Sequence, residues 1–277
     1  MVMQILEWGK TYMTTEKLHE ELTRAIDLLD AGNPAAALQL LDTYTGHTPT
    51  DPHAHFYRGD TLAELGRLDE AIQAYRAGTA IVPDDPDALT TLGDLLFEAG
   101  RHQEALAQYR AVLLFDPKDA DALVSIGLVH NALDQTEEAM AAFKLAIEHE
   151  PDNTFAWNAL GDLYYGSGDH KAAIEAYQKG IELDPTDPAA YHNLGELYYD
   201  LEEYDPAEEN CKTAVKLAPD FSMAYLTLGG ICMDQERMKD ALLYYRLYLK
   251  YETSPQAADM LAEVRAVVEG LQEELKG

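Results

Sequence analysis

Apolar residues recur at steps of three and four along most of the chain, in short blocks separated by polar breaks. This is the periodicity of helices that each bury one stripe. Leu89, Leu92 and Leu96 form one block, and Ala105, Leu106, Tyr109 and Val112 form the next. The break between them holds Gly100, and equivalent breaks hold Gly32, Gly66 and Gly168, so the predicted unit is a helix, a tight turn and a second helix. Pro49, Pro83, Pro117, Pro151, Pro185 and Pro219 close successive units at a constant interval of 34 residues. In the same register Ala37, Ala71, Ala105, Ala139, Ala173, Ala207 and Ala241 form one column. Ala25, Gly59, Gly93, Gly127, Gly161, Gly195 and Gly229 form a second, and Leu41, Tyr75, Tyr109, Phe143, Tyr177, Cys211 and Tyr245 a third. Small residues let two helices approach, and the aromatic fills the space beside them. Asp51, Asp85, Asp119, Asn153, Asp187 and Ser222 stand where an N-cap is needed, with Pro52, Pro86 and Pro188 at the first helical position. Pro34 and Pro206 fall in the first turn of a second helix, so all 12 prolines lie outside helix interiors.

The fifth unit carries Trp157, Leu160, Gly161, Tyr164, Ala173, Tyr177 and Pro185 at the spacing of the tetratricopeptide repeat, which the chain closely resembles. The resemblance covers residues 18–255 as seven repeats: 18–51, 52–85, 86–119, 120–153, 154–187, 188–221 and 222–255. It implies an all-α, right-handed superhelical solenoid. Repeats one and two depart from the pattern with Glu21 and His55 in the Trp column and Arg24 and Arg58 in the Leu column. Repeat seven departs with Thr253 in the Pro column and Tyr248 where smaller residues prevail. Terminal repeats are commonly atypical because one side faces solvent or a cap. Residues 256–277 then form a last helix, opened by Ser254 and Pro255, in which Ala257, Leu261, Val264, Val268, Leu271 and Leu275 recur at steps of four and three. A capping helix over repeat seven is expected; the same residues also suit a coiled-coil seam to a second copy, although over fewer than three heptads. Residues 1–17 hold Val2, Ile5, Leu6 and Trp8 as a short helix or a flexible lead that packs on repeat one or reaches a neighbouring molecule.

Charge narrows the partners. Lys plus Arg number 20 against 50 Asp plus Glu, a formal net charge of −30. Nucleic acid and anionic bilayers, normally bound through clustered cations, are poor partners for such a chain. Nor does any apolar run approach the length of a membrane span. The N-terminal MVMQILEWGK lacks the basic segment of a secretory signal. Cys211 and Cys232 lack metal spacing and read as reduced core thiols of a cytoplasmic protein.

Candidate chemistry is sparse. Seven repeats, a cap and a lead account for the chain, and no phosphate-binding Gly-rich loop, GxSxG elbow, HExxH pair or CxxC pair occurs. His53 and His55, near His47, point in different directions on a helix. His130 occupies the position of Tyr164 and Tyr198 and reads as a core histidine with a hydrogen-bonding partner. Glu202, Glu203, Asp205, Glu208 and Glu209 read as a solvated acidic face, without calcium-loop spacing. Met223, Met233 and Met238 read as packing or groove residues. The chain is expected to be no enzyme and to need no metal or cofactor.

In the resembled family one stripe of the first helices lines a concave surface where extended peptides or helices bind. No position of that stripe here is Lys or Arg, and eleven are acidic: Asp30, Asp60, Glu64, Asp87, Asp94, Glu98, Asp121, Asp162, Glu196, Asp200 and Asp234. Phe56, Tyr57, Phe97, Phe155, Tyr165 and Tyr199 are interleaved. The cationic clamp with which family members grip a C-terminal carboxylate is therefore missing. The resemblance implies that Asn158 and Asn193 hydrogen-bond a peptide backbone. Charge of one sign focuses potential, and aromatic rings add cation–π partners and buried area; a merely solvated face is the simpler alternative. The expected function is an adaptor or scaffold that holds a basic or cationic–aromatic segment of another protein. A self-assembling scaffold, joined through the lead or the last helix, and a holding chaperone are the alternatives.

Overall fold

The computed structural model describes residues 15–276; Val2, Ile5, Leu6 and Trp8 of the lead lie outside them. The chain divides into two compact units, one ending at Ala139 and one beginning at Met140. The first holds the pairs α1 (Thr15–Asp30) with α2 (Pro34–His47), α3 (Pro52–Glu64) with α4 (Leu68–Ile81), and α5 (Pro86–Glu98) with α6 (His102–Phe115), followed by α7 (Ala120–Ala132). Helix α8 (Thr136–His149) carries the boundary. The second holds α9 (Thr154–Gly166) with α10 (His170–Leu183), α11 (Pro188–Asp200) with α12 (Tyr204–Leu217), α13 (Ser222–Asp234) with α14 (Met238–Tyr251), and α15 (Ala258–Glu274). No strand occurs among the described residues. The architecture is a tandem array of helix-turn-helix pairs.

Each turn between paired helices closes on a left-handed residue. Four are glycines, Gly32, Gly66, Gly100 and Gly168, with φ from 69° to 80°; at the same register stand Asp134, Glu202 and Glu236, with φ of 56°, 59° and 57°. At Gly168 the flanking bonds run from Gly168 N to Tyr165 O and from Asp169 N to Tyr164 O, both 2.9 Å, which satisfies carbonyls the helix end would otherwise leave unpaired. Side chains of Asp51, Asp85, Asp119, Asn153 and Asp187 accept hydrogen bonds from the first turns of α3, α5, α7, α9 and α11. Ser222 does not cap α13 as expected. Phe221 holds that place without a side-chain bond, and Ser222 is the first helical residue, its hydroxyl donating to Glu252 Oε2 at 2.7 Å.

The column of small residues meets the aromatic column as the pattern requires. A Cβ placed on Gly93 would stand 2.6 Å from Cε1 of Tyr109, and one on Gly161 2.6 Å from Cε1 of Tyr177, closer than any relaxed contact. Both rings are buried, and burying a large apolar side chain contributes roughly 1.5–3 kcal/mol. The Trp column has a different task. Trp157 Nε1 donates to Pro151 O and Tyr225 Oη to Pro219 O, each at 3.0 Å, bracing a first helix against the turn before it. His55, the departure in repeat two, makes the equivalent contact: its Nε2 lies 3.0 Å from Pro49 O.

Helix α15 caps the second unit. Val264, Val268 and Leu271 are buried in one cluster with Tyr245 and Tyr248, against which Tyr244, Tyr251 and Leu261 also pack. These residues are therefore committed within the chain and are not free to form a seam with a second copy. Leu275 is left 40% exposed.

Candidate functional site

In the first unit Asp30 lies on α1 and Asp121 on α7, and the other named stripe residues sit on α3 and α5. Asp60 and Asp94 are solvent-accessible, and each accepts a hydrogen bond from the tyrosine of its own second helix: Tyr75 Oη to Asp60, and Tyr109 Oη to Asp94 at 2.6 Å. Phe56 stacks on Tyr75 with ring centroids 5.4 Å apart and fills the space above Gly78, so much of its face serves packing. Phe97 packs against the His102 ring at 5.4 Å. Tyr57 is half-buried, and Glu64 and Glu98 are exposed at the ends of their helices.

In the second unit the arrangement becomes a linked series across α9, α11 and α13. Asp162 accepts from Tyr177 Oη at 2.7 Å within its repeat and from Asn193 Nδ2 of the next at 3.3 Å. Tyr165 Oη donates to Asp200, and Tyr199 Oη donates to Asp234 at 2.8 Å, each bond joining one repeat to the next. Gly230 leaves room for the second of these, since a Cβ there would lie 2.8 Å from Tyr199 Oη. Asn158 Nδ2 donates to Asp187 Oδ2 at 3.3 Å, while its Oδ1 is buried without a hydrogen-bond partner. Each asparagine thus has an amide N–H engaged by a carboxylate of this chain. Glu196 is half-buried beside this series, and Phe155, 53% exposed, lies at its edge on the first turn of α9.

Electrostatics follow from these bonds. Burial pushes the Asp60 and Asp162 carboxyls above the ordinary carboxylate value, and the tyrosine hydrogen bond opposes it in both. The hydroxyls of Tyr75, Tyr109, Tyr165, Tyr177 and Tyr199 are raised, first by burial and then by the carboxylate each one donates to. A carboxylate has lone pairs for several donors, so a tyrosine fixes its orientation and leaves acceptor capacity for a cation. The role of Tyr75, Tyr109 and Tyr177 goes beyond the packing column to which the sequence assigned them. The signal for it was present: an aspartate 15 residues before each one.

Other candidate groups are structural. His130 is buried with Nδ1 2.6 Å from Gln135 Oε1, the expected core histidine with a partner. Cys211 and Cys232 are free and buried, with thiols pushed up by burial to about 12 and about 11, so neither is a thiolate at neutral pH. Among the described residues no helix is long and apolar enough to cross a membrane.

The fold and this repeated surface define a class: a solenoid-type protein that presents one helix face per repeat. Tetratricopeptide repeat models match residues 22–86, 62–125, 96–163 and 188–221, and a TPR repeat model matches 161–202. The chain belongs to the tetratricopeptide repeat family. A tetratricopeptide repeat protein from Parabacteroides merdae is similar over 93% of this chain and 99% of its own, with a TM-score of 0.73 at 18% identity. MamA from Desulfovibrio magneticus RS-1 is similar over 62% of this chain and 98% of its own, with a TM-score of 0.58 at 26% identity. YrrB, described as a TPR protein with an unusual peptide-binding site, covers 66% of this chain and 95% of its own, with a TM-score of 0.50 at 20% identity. No curated protein matches this chain.

Proposed function

We propose that the protein is a non-enzymatic, cytoplasmic adaptor that holds a basic segment of another protein against the first-helix stripe, centred on Asp162, Glu196, Asp200 and Asp234. The observation that carries this reading is the linked tyrosine–carboxylate series of α9, α11 and α13. Its acceptors are oriented in advance and uncancelled by any lysine or arginine of the stripe. Preorganised acceptors cost little to arrange when a guanidinium or ammonium arrives. Tyr165, Tyr199 and Phe155 supply ring surface for the aliphatic stem of such a residue or for an aromatic neighbour. Within the first unit, Tyr57, Asp60, Glu64, Asp94, Phe97 and Glu98 present residues of the same kind, with Phe56 as partly buried support. The buried Oδ1 of Asn158 is an acceptor in want of a donor, and a ligand backbone N–H that reached it would satisfy it.

The test compares charge reversals. Titrated with a lysine-rich peptide, the Asp162→Lys, Glu196→Lys variant is expected to lose at least tenfold in affinity. Reversal of exposed Glu138 and Glu148 on α8 should cost no more than about twofold, the scale of exposed ion pairs. Equal losses would assign binding to net charge alone. Glu208 makes a poor control, because it bridges Lys212 and Arg237 at 2.8 and 3.0 Å.

A further inference from the structure

A second column of the repeat is basic at five of its seven positions, and its one uncharged member faces a cavity. Asp42, Arg76, Arg110, Lys144, Gln178, Lys212 and Arg246 stand 34 residues apart on the second helices. Two of the basic members, Arg76 and Lys144, reach from their own helix to the following repeat. Arg76 pairs with Glu104 of the next repeat. Lys144 places its Nζ 5.3 Å from the ring centroid of Tyr164 on α9, within cation–π range. Lys212 pairs at 2.8 Å with Glu208 of its own helix, which Arg237 of the next repeat also meets at 3.0 Å. At repeat one, where the column holds Asp42, Arg58 enters from the opposite wall of a cavity and bonds Asp42 at 2.7 Å. In each case the chain supplies its own cation.

Repeats five and six break the rule. Gln178 takes the place of Lys144, and Tyr198 takes the place of Tyr164. Between them lies a cavity of about 420 Å³ lined by Gln178, Ile181, Tyr191, Tyr198, Pro206 and Glu209, among others, none of them basic. Pro206 holds the position from which Glu104 meets Arg76, so neither half of that pair is present. Glu182 at the rim is engaged by Lys179 at 2.9 Å, whereas Glu209 is an exposed carboxylate. The cavity shares no residue with the first-helix stripe.

We propose that this cavity receives a lysine side chain of a partner protein, its ammonium seated over Tyr198 beside Glu209 as Lys144 is seated over Tyr164. Lysine is favoured because the chain's own occupant of the equivalent aromatic place is a lysine, and the apolar Ile181 and Pro206 suit its methylene stem. The inference is independent of the function proposed for the stripe.

The test uses the full chain with labelled tyrosine and N-acetyl-lysine methylamide as probe, followed by nuclear magnetic resonance. A saturable shift of the Tyr198 ring is expected, absent with the uncharged norleucine analogue. Gln178→Lys should fill the cavity from within and abolish the response. Lys144→Gln should vacate the equivalent place and add a second response at Tyr164. Asp162→Lys, which tests the stripe, should leave the Tyr198 response unchanged. A silent Tyr198, an equal response to norleucine, or a response that survives in Gln178→Lys would each overturn the proposal.

Discussion

Glu202 holds a φ of 59° in a turn where four of its counterparts are glycines, and a side chain in that region costs roughly 1–2 kcal/mol. Glu202→Gly is expected to stabilise the protein by about 1 kcal/mol, because the relief is partly offset by the freer unfolded chain. Glu203, one residue on, has φ −86°, and glycine there should lower the urea midpoint instead. Gly161→Ala acts in the opposite sense through packing: its new Cβ meets the Tyr177 ring at 2.6 Å, and overpacking of this kind costs about 1–3 kcal/mol. Chemical denaturation of the three variants checks these signs together. The glycine turns could be read from the sequence because glycine marks a left-handed position. Asp134, Glu202 and Glu236 could not, since their backbone is dictated by the repeat register against their own preference. Nor were the hydroxyl bonds to Asp60, Asp94 and Asp162 read, because the tyrosine column was already explained by packing.

At the scale of elements, periodicity sufficed wherever a helix buries one stripe, and failed where two helical roles share that stripe. Helix α15 is such a case: steps of four and three suit both a cap and a seam, and only the burial of Val264, Val268 and Leu271 against the tyrosines of α14 separates them. Val268→Asp with Leu271→Asp would place two carboxylates in that cluster, each a buried charge without a partner. The expected outcome is a melting temperature lower by several degrees with a scattering mass still that of one chain. A wild-type dimer that became a monomer with an unchanged melt would show the helix acting between molecules. The start of α13 is a different case. The 34-residue register of the other caps falls on Phe221, so Ser222 stands one residue inside the helix, where its hydroxyl donates to Glu252 at the end of α14.

At the scale of the whole molecule, pH acts on the tyrosine–carboxylate bonds and ionic strength acts on the net charge. The tyrosines that hold the carboxylates have folded values raised above the ordinary 10.0, so their contribution is fully present below pH 10 and lost as pH rises through the folded values. The melting temperature should therefore be insensitive to these groups near neutrality and fall in alkali, with tyrosinate absorbance appearing alongside unfolding. Tyr177→Phe should be less stable at neutral pH, by about 1–3 kcal/mol for a hydrogen bond to a carboxylate, and should show a smaller alkaline decline. Ionic strength separates folding from binding. A chain of net charge −30 repels itself, and raising salt from about 10 mM to about 150 mM shortens the screening length from about 30 Å to about 8 Å. Self-repulsion weakens under that change, so stability should rise. Attraction between the acidic stripe and a lysine-rich peptide weakens as well, so affinity should fall over the same range. Opposite slopes of melting temperature and affinity against salt are the expected result. Affinity that rises with salt alongside stability would mean that apolar contact, not charge, holds the ligand, and would remove the electrostatic basis of the adaptor reading.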